Sequence, residues 1–405
     1  MHGVHTIRAG WLIDGSGGPP LRRAELRIED GLVAAVSPAA AAKVEAAGQP
    51  LTDLSSAVLC PPFVDCHVHL AFSGTTDLRT RKRLAGASFD EIRPFIRRHL
   101  EDLFRHGVMA VRDAGDRWGH VLRYTAEPDP AGGVPVQVLA AGRGWHRQGR
   151  YGAMIGHSPA DGEDLAAAWL RDGSSGALVK LINSGPNSLR EYGRQTAPQF
   201  TVEEMRQVVA LAERAGLRVM VHANGREPVR TAIEAGCHSI EHGYFMGRDN
   251  LRRMADEGVV LVPTLFAMKA CAEQAGDPLE RRVAEKNLAH QLEQVAAARD
   301  LGVPVALVTD SGSPGVLHGE AVVSEMELLI AAGYSLTEVI RCATDIGAGL
   351  LGLRRGRIAI GQPADFLVAR GTPSQLPGKF TALEAVWLAG WPSPSYRKNP
   401  LGSTD

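Results

Sequence analysis

The chain is expected to be an α/β protein: a (β/α)8 TIM barrel with a small β-sandwich domain built from both chain ends. Three observations predict it. Eight short apolar runs alternate with amphipathic segments between residues 57 and 351. Strand-like patterns without helices sit at both chain ends. No Gly-x-Gly-x-x-Gly follows the first long apolar run. Apolar strands separated by helices describe a parallel sheet buried on both faces, and eight such units make a barrel. The missing glycine signature argues against the rival doubly wound dinucleotide fold.

From the N-terminus, residues 5–38 read as short strands, with Asp30-Gly31 a hairpin turn between Ala24–Ile28 and Leu32–Val36. The Ala-rich stretch 38–48 reads as a short helix or a connector. The apolar runs are Val58–His69, Val108–Asp113, Val134–Ala141, Ala177–Ile182, Arg218–Ala223, Ser239–Gly243, Val259–Leu265 and Val303–Ser311. Ser88-Phe89-Asp90-Glu91, Thr201-Val202-Glu203-Glu204 and Ser335-Leu336-Thr337-Glu338 have the form of capping boxes. Ala215-Gly216, Ala235-Gly236 and Ala332-Gly333 read as helix stops. Strand patterns return at Arg357–Gly361, Asp365–Val368 and Ala382–Ala389, and are expected to pair with the N-terminal strands. The domains then divide as 1–56 plus 352–405 for the composite β unit and 57–351 for the barrel. The Pro- and Ser-rich tail Ser393–Asp405 is expected to be loosely ordered.

Composition narrows the function classes. A formal net charge of -1 carries no electrostatic footprint for nucleic acid or an anionic membrane. The basic run Arg79-Thr80-Arg81-Lys82-Arg83 reads as a solvated surface segment. Five cysteines without a CxxC pair argue against a disulfide framework and fit a reducing compartment. Met1–Arg8 lacks a signal-peptide core, and no apolar run is long enough to span a bilayer. A cytoplasmic protein acting on a small molecule is expected.

In a barrel of this kind the chemistry collects at the C-terminal ends of the strands. The first run ends in His67-Val68-His69, whose imidazoles share a strand face and can hold one metal ion. Alone, such a pair is commonly just two histidines in a strand. Later runs add Lys180, His222, His242 and Asp310. Lys180 interrupts Ala177-Leu178-Val179-Lys180-Leu181-Ile182, where an unpaired ammonium is heavily penalised. Burial favours the neutral amine, which reacts with CO2 to a carbamate able to bridge two metals. The plainer reading is a Lys180 that pairs with a carboxylate. A charge balance favours the metal site. Two divalent ions bring four positive charges; the carbamate, Asp310 and one bridging hydroxide return three, leaving a surplus that polarises a carbonyl. Asp310 can take the proton of the attacking hydroxide and pass it to a leaving nitrogen; it can also serve as a helix N-cap.

Taken together, Phe63–His69, Val179-Lys180-Leu181, Val221-His222-Ala223, Ile240-Glu241-His242-Gly243 and Thr309-Asp310-Ser311 resemble the metal-dependent amidohydrolase superfamily, in its imidazolonepropionase-like and prolidase-like branch with a carboxylated lysine. Ile7–Gly15 and Arg357–Phe366 resemble the opening and closing strands of that superfamily, so the likeness covers nearly the whole chain. It implies His67, His69, Lys180, His222, His242 and Asp310 as ligands of two divalent metals, zinc foremost, with Lys180 bridging. It also implies hydrolysis of an amide, urea or related C–N bond, and it admits a homo-oligomer. The chain departs from dipeptidase members, which often carry Gly-Gly-His-Gly after the third strand. Tyr151 stands about where that histidine would be, Asn224 follows Ala223, and Tyr244 follows Gly243. These departures put dipeptidase activity in doubt.

The loop Arg143–Tyr151 holds three arginines, Trp145, His146 and Tyr151. It reads as a pocket wall for a carboxylate or other polar group, or as a solvated basic loop packed on Trp145. Tyr151, His146, Arg150, Asn224 and Tyr244 are the expected substrate contacts. Residues 184–200 read as a flap over the site, His318 as a support for the ligands, and Asp65 as either an orienter of His67 or barrel-floor filling. The leading expectation is a binuclear hydrolase of an N-acyl amino acid, dipeptide, lactam, urea or carbamate. The same site can serve a phosphoester or lactone hydrolase. A non-catalytic scaffold is a third reading, disfavoured by six ligand-type residues.

Overall fold

Pro61 and Pro62 cut the first long apolar run in two, because neither has an N–H to give to a ladder. The single strand expected at Val58–His69 is therefore two strands serving two different sheets. The structure, a computed structural model, describes residues 3–38, 50–129, 132–172 and 176–396. Its strands are β1 (Val4–Leu12), β2 (Leu21–Glu29), β3 (Leu32–Pro38), β4 (Leu51–Cys60), β5 (Phe63–Val68), β6 (Val108–Asp113), β7 (Gln137–Ala140) and β8 (Gly144–Trp145). There follow β9 (Gly156–His157), β10 (Leu178–Ile182), β11 (Arg218–Ala223), β12 (Ser239–His242), β13 (Val260–Val262), β14 (Phe366–Arg370), β15 (Ala385–Leu388) and β16 (Trp391–Pro392).

Both chain ends meet in one seven-stranded sheet of order β16-β15-β14-β4-β1-β2-β3. A two-sheet sandwich was expected; the strands instead pair edge to edge in a single sheet, joined where β14 runs antiparallel to β4. Asp30 and Gly31 both take positive φ, 49° and 79°, the primed turn that matches strand twist. Alternate residues feed a core of their own, with Ile7, Leu26, Leu59, Phe366 and Trp387 among its members. The expected strand Arg357–Gly361 is irregular chain: Ile358 N donates to Asp14 O and Gly361 N to Val33 O. Of the Ala-rich connector and the tail, residues 39–49 and 397–405 lie outside the described residues.

The remaining strands build an α/β fold of TIM-barrel type. They form two parallel arcs, β13-β12-β11-β10-β8-β9 and β5-β6-β7, and no continuous closed ladder is found among the described residues. A few backbone hydrogen bonds link the arcs. Ala177 N donates to Ala140 O at 2.9 Å on one side. On the other, the last apolar run is held by isolated bridges rather than a strand: Ala306 N donates to Leu261 O at 3.0 Å, and Cys66 N to Leu307 O at 3.2 Å. Residues of β5, β6 and β10 are buried without exception, as in a sheet covered on both faces. Helices begin where the sequence marks them. Thr201 and Glu204 form a reciprocal capping box ahead of the helix Val202–Arg214, as do Ser335 and Glu338 ahead of Leu336–Arg341. The turn glycines Gly216, Gly236 and Gly333 stop helices with φ of 71°, 83° and 95°. No described helix is long and apolar enough to cross a membrane.

Candidate active site

Strand alternation decides what faces the interior. On β12, Ser239 and Glu241 point inward, and Arg112 of β6 reaches them. Arg112 Nη2 donates to Glu241 Oε1 at 2.7 Å, Nη1 to Ser239 Oγ at 2.9 Å, and Nε to Cys66 O at 2.7 Å. Glu241 Oε2 in turn lies 2.7 Å from His67 Nδ1. Asp65 ties β5 to the last apolar run, accepting from Thr309 N at 3.1 Å and Thr309 Oγ1 at 2.6 Å. This floor is fully buried and every charged group in it has a partner.

One layer up lie the six residues singled out as ligands. They all line one cavity of about 380 Å³. Each histidine is held by one ring nitrogen, which leaves the other for the cavity. His67 uses Nδ1 toward Glu241; His69 Nδ1 lies 2.9 Å from Gly115 O, and His242 Nδ1 2.8 Å from Thr264 Oγ1. His222 reverses the choice and places Nε2 3.1 Å from Gly185 O. A carbonyl or carboxylate partner fixes the proton on that nitrogen and the lone pair on the other, as for metal-ligating imidazoles. Asp310 Oδ1 lies 3.6 Å from both His67 Nε2 and His69 Nε2, and these three ligand atoms lie within 4.8 Å of one another. Asp310 sits at φ 58°, a left-handed backbone that is costly for a non-glycine residue. His242 does so too, at 68°.

Two polar atoms in this layer have no hydrogen-bond partner although buried: Lys180 Nζ and Asp310 Oδ1. Lys180 is 1% exposed. Burial drives the electrostatics of the whole group. It lowers Lys180 to about 8 and raises Asp310 to about 7. His69 falls to about 4 and His222 to about 3, while His67 and His242 fall well below the usual imidazole range. The imidazoles are neutral, the lysine gives up its proton more readily than usual, near pH 8, and the donor set is the nitrogen and carboxylate set of a zinc-type site. The residues present therefore fit a divalent metal.

Tyr151, Asn224 and Tyr244 also line the cavity. The Tyr151 ring lies 5.2 Å from that of His222, and burial pushes its phenol up to about 12, keeping it a neutral donor. Asn224 Oδ1 accepts from Tyr244 N at 3.0 Å. His146 and Arg150 do not line the cavity. His146 Nδ1 pairs with Arg147 O, and Arg150 Nη2 donates to Ala197 O at 2.8 Å. The 184–200 segment contributes Pro186, Asn187 and Leu189 to the wall. His318 Nε2 lies 3.2 Å from His69 O, and its ring stacks on His99 at 3.9 Å.

Sequence reasoning assigned no role to Glu241, Arg112, Thr264, Phe72 or Arg81. The first two carried a signal, since an ionisable residue inside an apolar strand needs a buried partner. Phe72, stacked on His69 at 5.2 Å, and Arg81, on the helix Leu78–Ala85, carried none, because tertiary packing brings them in.

Comparison with known proteins matches the model of the amidohydrolase family to residues 58–393. Curated relatives include the ochratoxinase of Aspergillus niger, 26% identical over 96% of this chain and 86% of that protein. The imidazolonepropionase of Paracoccus denitrificans is also 26% identical, over 91% and 93%. Among solved structures, a Xaa-Pro dipeptidase with bound methionine superposes with a TM-score of 0.81 at 25% identity, covering 96% of this chain and 99% of that one.

Proposed function

The chain belongs to the amidohydrolase family, and from that premise we propose that it is a binuclear metal-dependent hydrolase of an amide-type C–N bond in a small molecule. One observation carries the reading: the buried, unpartnered amine of Lys180 opens into the same cavity as four histidines and Asp310. A structural lysine in that place would find a carboxylate; this one is left for another group.

His67, His69, His222, His242 and Asp310 would hold two divalent ions, zinc foremost. Lys180 would bridge them after its neutral amine adds to CO2 and loses a proton. When bound, the metals supply an electrophile for the scissile carbonyl and a water acidic enough to attack at neutral pH. The chain's own groups do the rest. Asp310 would take a proton on its carboxylate and return it to the leaving nitrogen. Ser313 Oγ, donating to Oδ2 at 3.1 Å, holds the carboxylate in place during that exchange. Tyr151 offers a phenol proton to substrate oxygen, and Asn224 and Tyr244 shape the opposite wall. His146 and Arg150 would act only by supporting the loop that presents Tyr151. The relatives named above fit this reading, being hydrolases of different small molecules that share one fold.

Metal analysis of wild type beside Lys180→Ala tests it, with a panel of N-acyl amino acids, dipeptides, lactams, ureas and carbamates. About two divalent ions per chain in wild type, a sharp fall in the variant and turnover of at least one C–N substrate are expected. Wild type that takes up no metal with zinc and bicarbonate would overturn the proposal.

A further inference from the structure

A threonine at the start of a helix ordinarily has extended backbone and spends its hydroxyl on the first turn. Thr264, the N-cap residue of the helix Leu265–Gln274, does neither. Its backbone is left-handed, at φ 50° and ψ 51°, a costly conformation for a β-branched residue. Its side chain makes no capping hydrogen bond. Oγ1 lies instead 2.8 Å from Nδ1 of His242.

The N–H groups that Thr264 leaves unmet are met from another helix. Glu325, within Ala321–Ala331, accepts from Leu265 N at 2.9 Å and from Phe266 N at 2.6 Å. Glu325 is 0% exposed, and no Lys, Arg or His lies within ion-pair distance of it among the described residues. Burying a carboxyl without a cation is costly, and these two N–H bonds are what the residue gains. The capped helix reaches the active-site cavity: Thr264, Ala267, Met268 and Cys271 all line it. Tyr244 Oη donates to Thr264 O at 3.3 Å, so the joint is also held from the cavity side.

Resting on the hydrolase reading above, we propose that Glu325 is a positioning residue of the active site: by capping the helix Leu265–Gln274 in place of Thr264, it leaves the Thr264 hydroxyl to orient His242. Glu325 itself touches neither metal nor substrate. Without its cap, the Thr264 hydroxyl is drawn back to the N–H groups of its own helix, and His242 Nδ1 loses its partner. The consequence is local. The His242 ring lies nearer to His222, 4.6 Å between centroids, than to His67, at 5.2 Å. His67, His69 and Asp310 converge on a place of their own. The loss therefore falls on one metal ion of the pair, the one held with His222.

The test titrates zinc into metal-stripped protein against a competing chelator, for wild type, Glu325→Gln, Thr264→Val, Thr264→Ser and the double variant Glu325→Gln with Thr264→Val. Glu325→Gln sets an amide NH2 against one of the two N–H groups. It is expected to weaken one zinc ion by about 10- to 100-fold, the scale for a group behind a metal-ligating imidazole, with the other ion near wild type. Thr264→Val should lose the same ion and Thr264→Ser should keep it. The double variant should be little worse than Thr264→Val, because residues acting through one chain of contacts are not additive. Should Glu325→Gln fail to fold, Glu325→Asp, with its shorter reach, replaces it throughout. Unchanged affinity for both ions in the Glu325 variant overturns the proposal. So does equal weakening of both, the mark of general loosening, or full additivity in the double variant.

NMR of the His242 ring in metal-stripped protein, assigned by its loss in His242→Asn, separates this claim from the hydrolase reading. Wild type is expected to carry the ring proton on Nδ1, and the Glu325 variant a mixture of tautomers. If wild type takes up no zinc, the hydrolase reading fails and the ring decides alone: a shift of tautomer in the Glu325 variant upholds the positioning role, and an unchanged ring overturns it. If wild type binds zinc and the Glu325 variant binds it equally well, the positioning role fails and the hydrolase reading stands.

Discussion

Two layers of buried polar groups lie one above the other in this protein, and they differ in one respect. In the floor, Arg112, Glu241, Ser239, Asp65 and Thr309 satisfy one another at 2.6–3.1 Å. In the layer above, Lys180 Nζ and Asp310 Oδ1 have no partner. Burial of a polar group is costly unless it is hydrogen-bonded. The floor meets that cost within itself and serves stability. The upper layer leaves it unmet, which is what the proposed ligand site requires. The floor also serves the layer above, since Glu241 joins both through His67.

The largest expected effect that can break this contrast is at Lys180. Lys180→Met removes the unpartnered amine and should lower kcat/KM by about 10³-fold or more, since metal catalysis supplies several kcal/mol of transition-state stabilisation. In the metal-stripped protein the same change should raise stability by about 1–3 kcal/mol, because it removes an unsatisfied buried group. Activity and urea denaturation measured on one preparation check both signs. A stability loss would place Lys180 in the floor's class.

The converse change belongs to the floor. Arg112→Met leaves the Glu241 carboxylate buried without its cation and should destabilise the protein by about 3–5 kcal/mol. Urea unfolding midpoints at constant m-value give the number. A loss below 1 kcal/mol would mean that the floor behaves like a surface pair and that the two layers do not differ in kind.

Which layer could be read from sequence follows from the same physics. His67, His69, Lys180, His222, His242 and Asp310 were legible because each breaks or ends an apolar run, and strand alternation brings such residues to one rim. The structure does bring all six to one cavity. The floor was half legible: Arg112 and Glu241 stand out in apolar strands, but their pairing spans 129 residues of chain. Edge-to-edge pairing of β14 with β4 is equally long-range, so one sheet and two sheets looked alike in sequence. Pro61-Pro62 carries a signal for the strand break that reading Val58–His69 as one run passes over. The cavity walls were least legible. His146 and Arg150 share a loop with Tyr151, yet their side chains bond backbone outside the cavity. Arg81 reaches it from a basic run that resembles any surface helix.

Proton linkage sharpens the contrast with a smaller effect. Burial raises Asp65 and Asp113 in the folded protein to about 7, and Glu325 to about 8. These carboxyls hold protons that the unfolded chain releases near pH 4, so their contribution falls as pH rises through 7–8. The upper-layer histidines are shifted downward, His69 to about 4 and His222 to about 3. The unfolded chain takes up protons there below about 6.5, so their contribution is full above 6.5 and is lost as pH falls. His5, His99, His157, His238, His290 and His318 are lowered in the same direction and outnumber the raised carboxyls. Metal-stripped protein should therefore show its highest Tm near pH 6.5–7, with the acid side falling off more steeply. A Tm that climbs steadily toward pH 5 would mean that the buried carboxyls, and not the imidazoles, govern the fold's response to acid.

The smallest expected effect separates support of the site from the site itself. Thr201 and Glu204 cap the helix Val202–Arg214 reciprocally. Glu204 also accepts from Arg147 Nη2 at 2.7 and 2.9 Å. Arg147 N donates to Gln199 Oε1, and Gln199 Nε2 donates to Tyr151 O, so the chain of contacts ends at the cavity wall. Thr201→Ala breaks only the cap and should cost about 1 kcal/mol without moving KM or kcat. Glu204→Ala breaks the cap and frees Arg147; a similar stability loss should come with a several-fold rise in KM at nearly constant kcat, the pattern of lost substrate binding rather than lost chemistry. If both variants leave KM unchanged, the Arg143–Tyr151 loop is held by its own packing on Trp145, and Tyr151 needs no help from the arginine beside it.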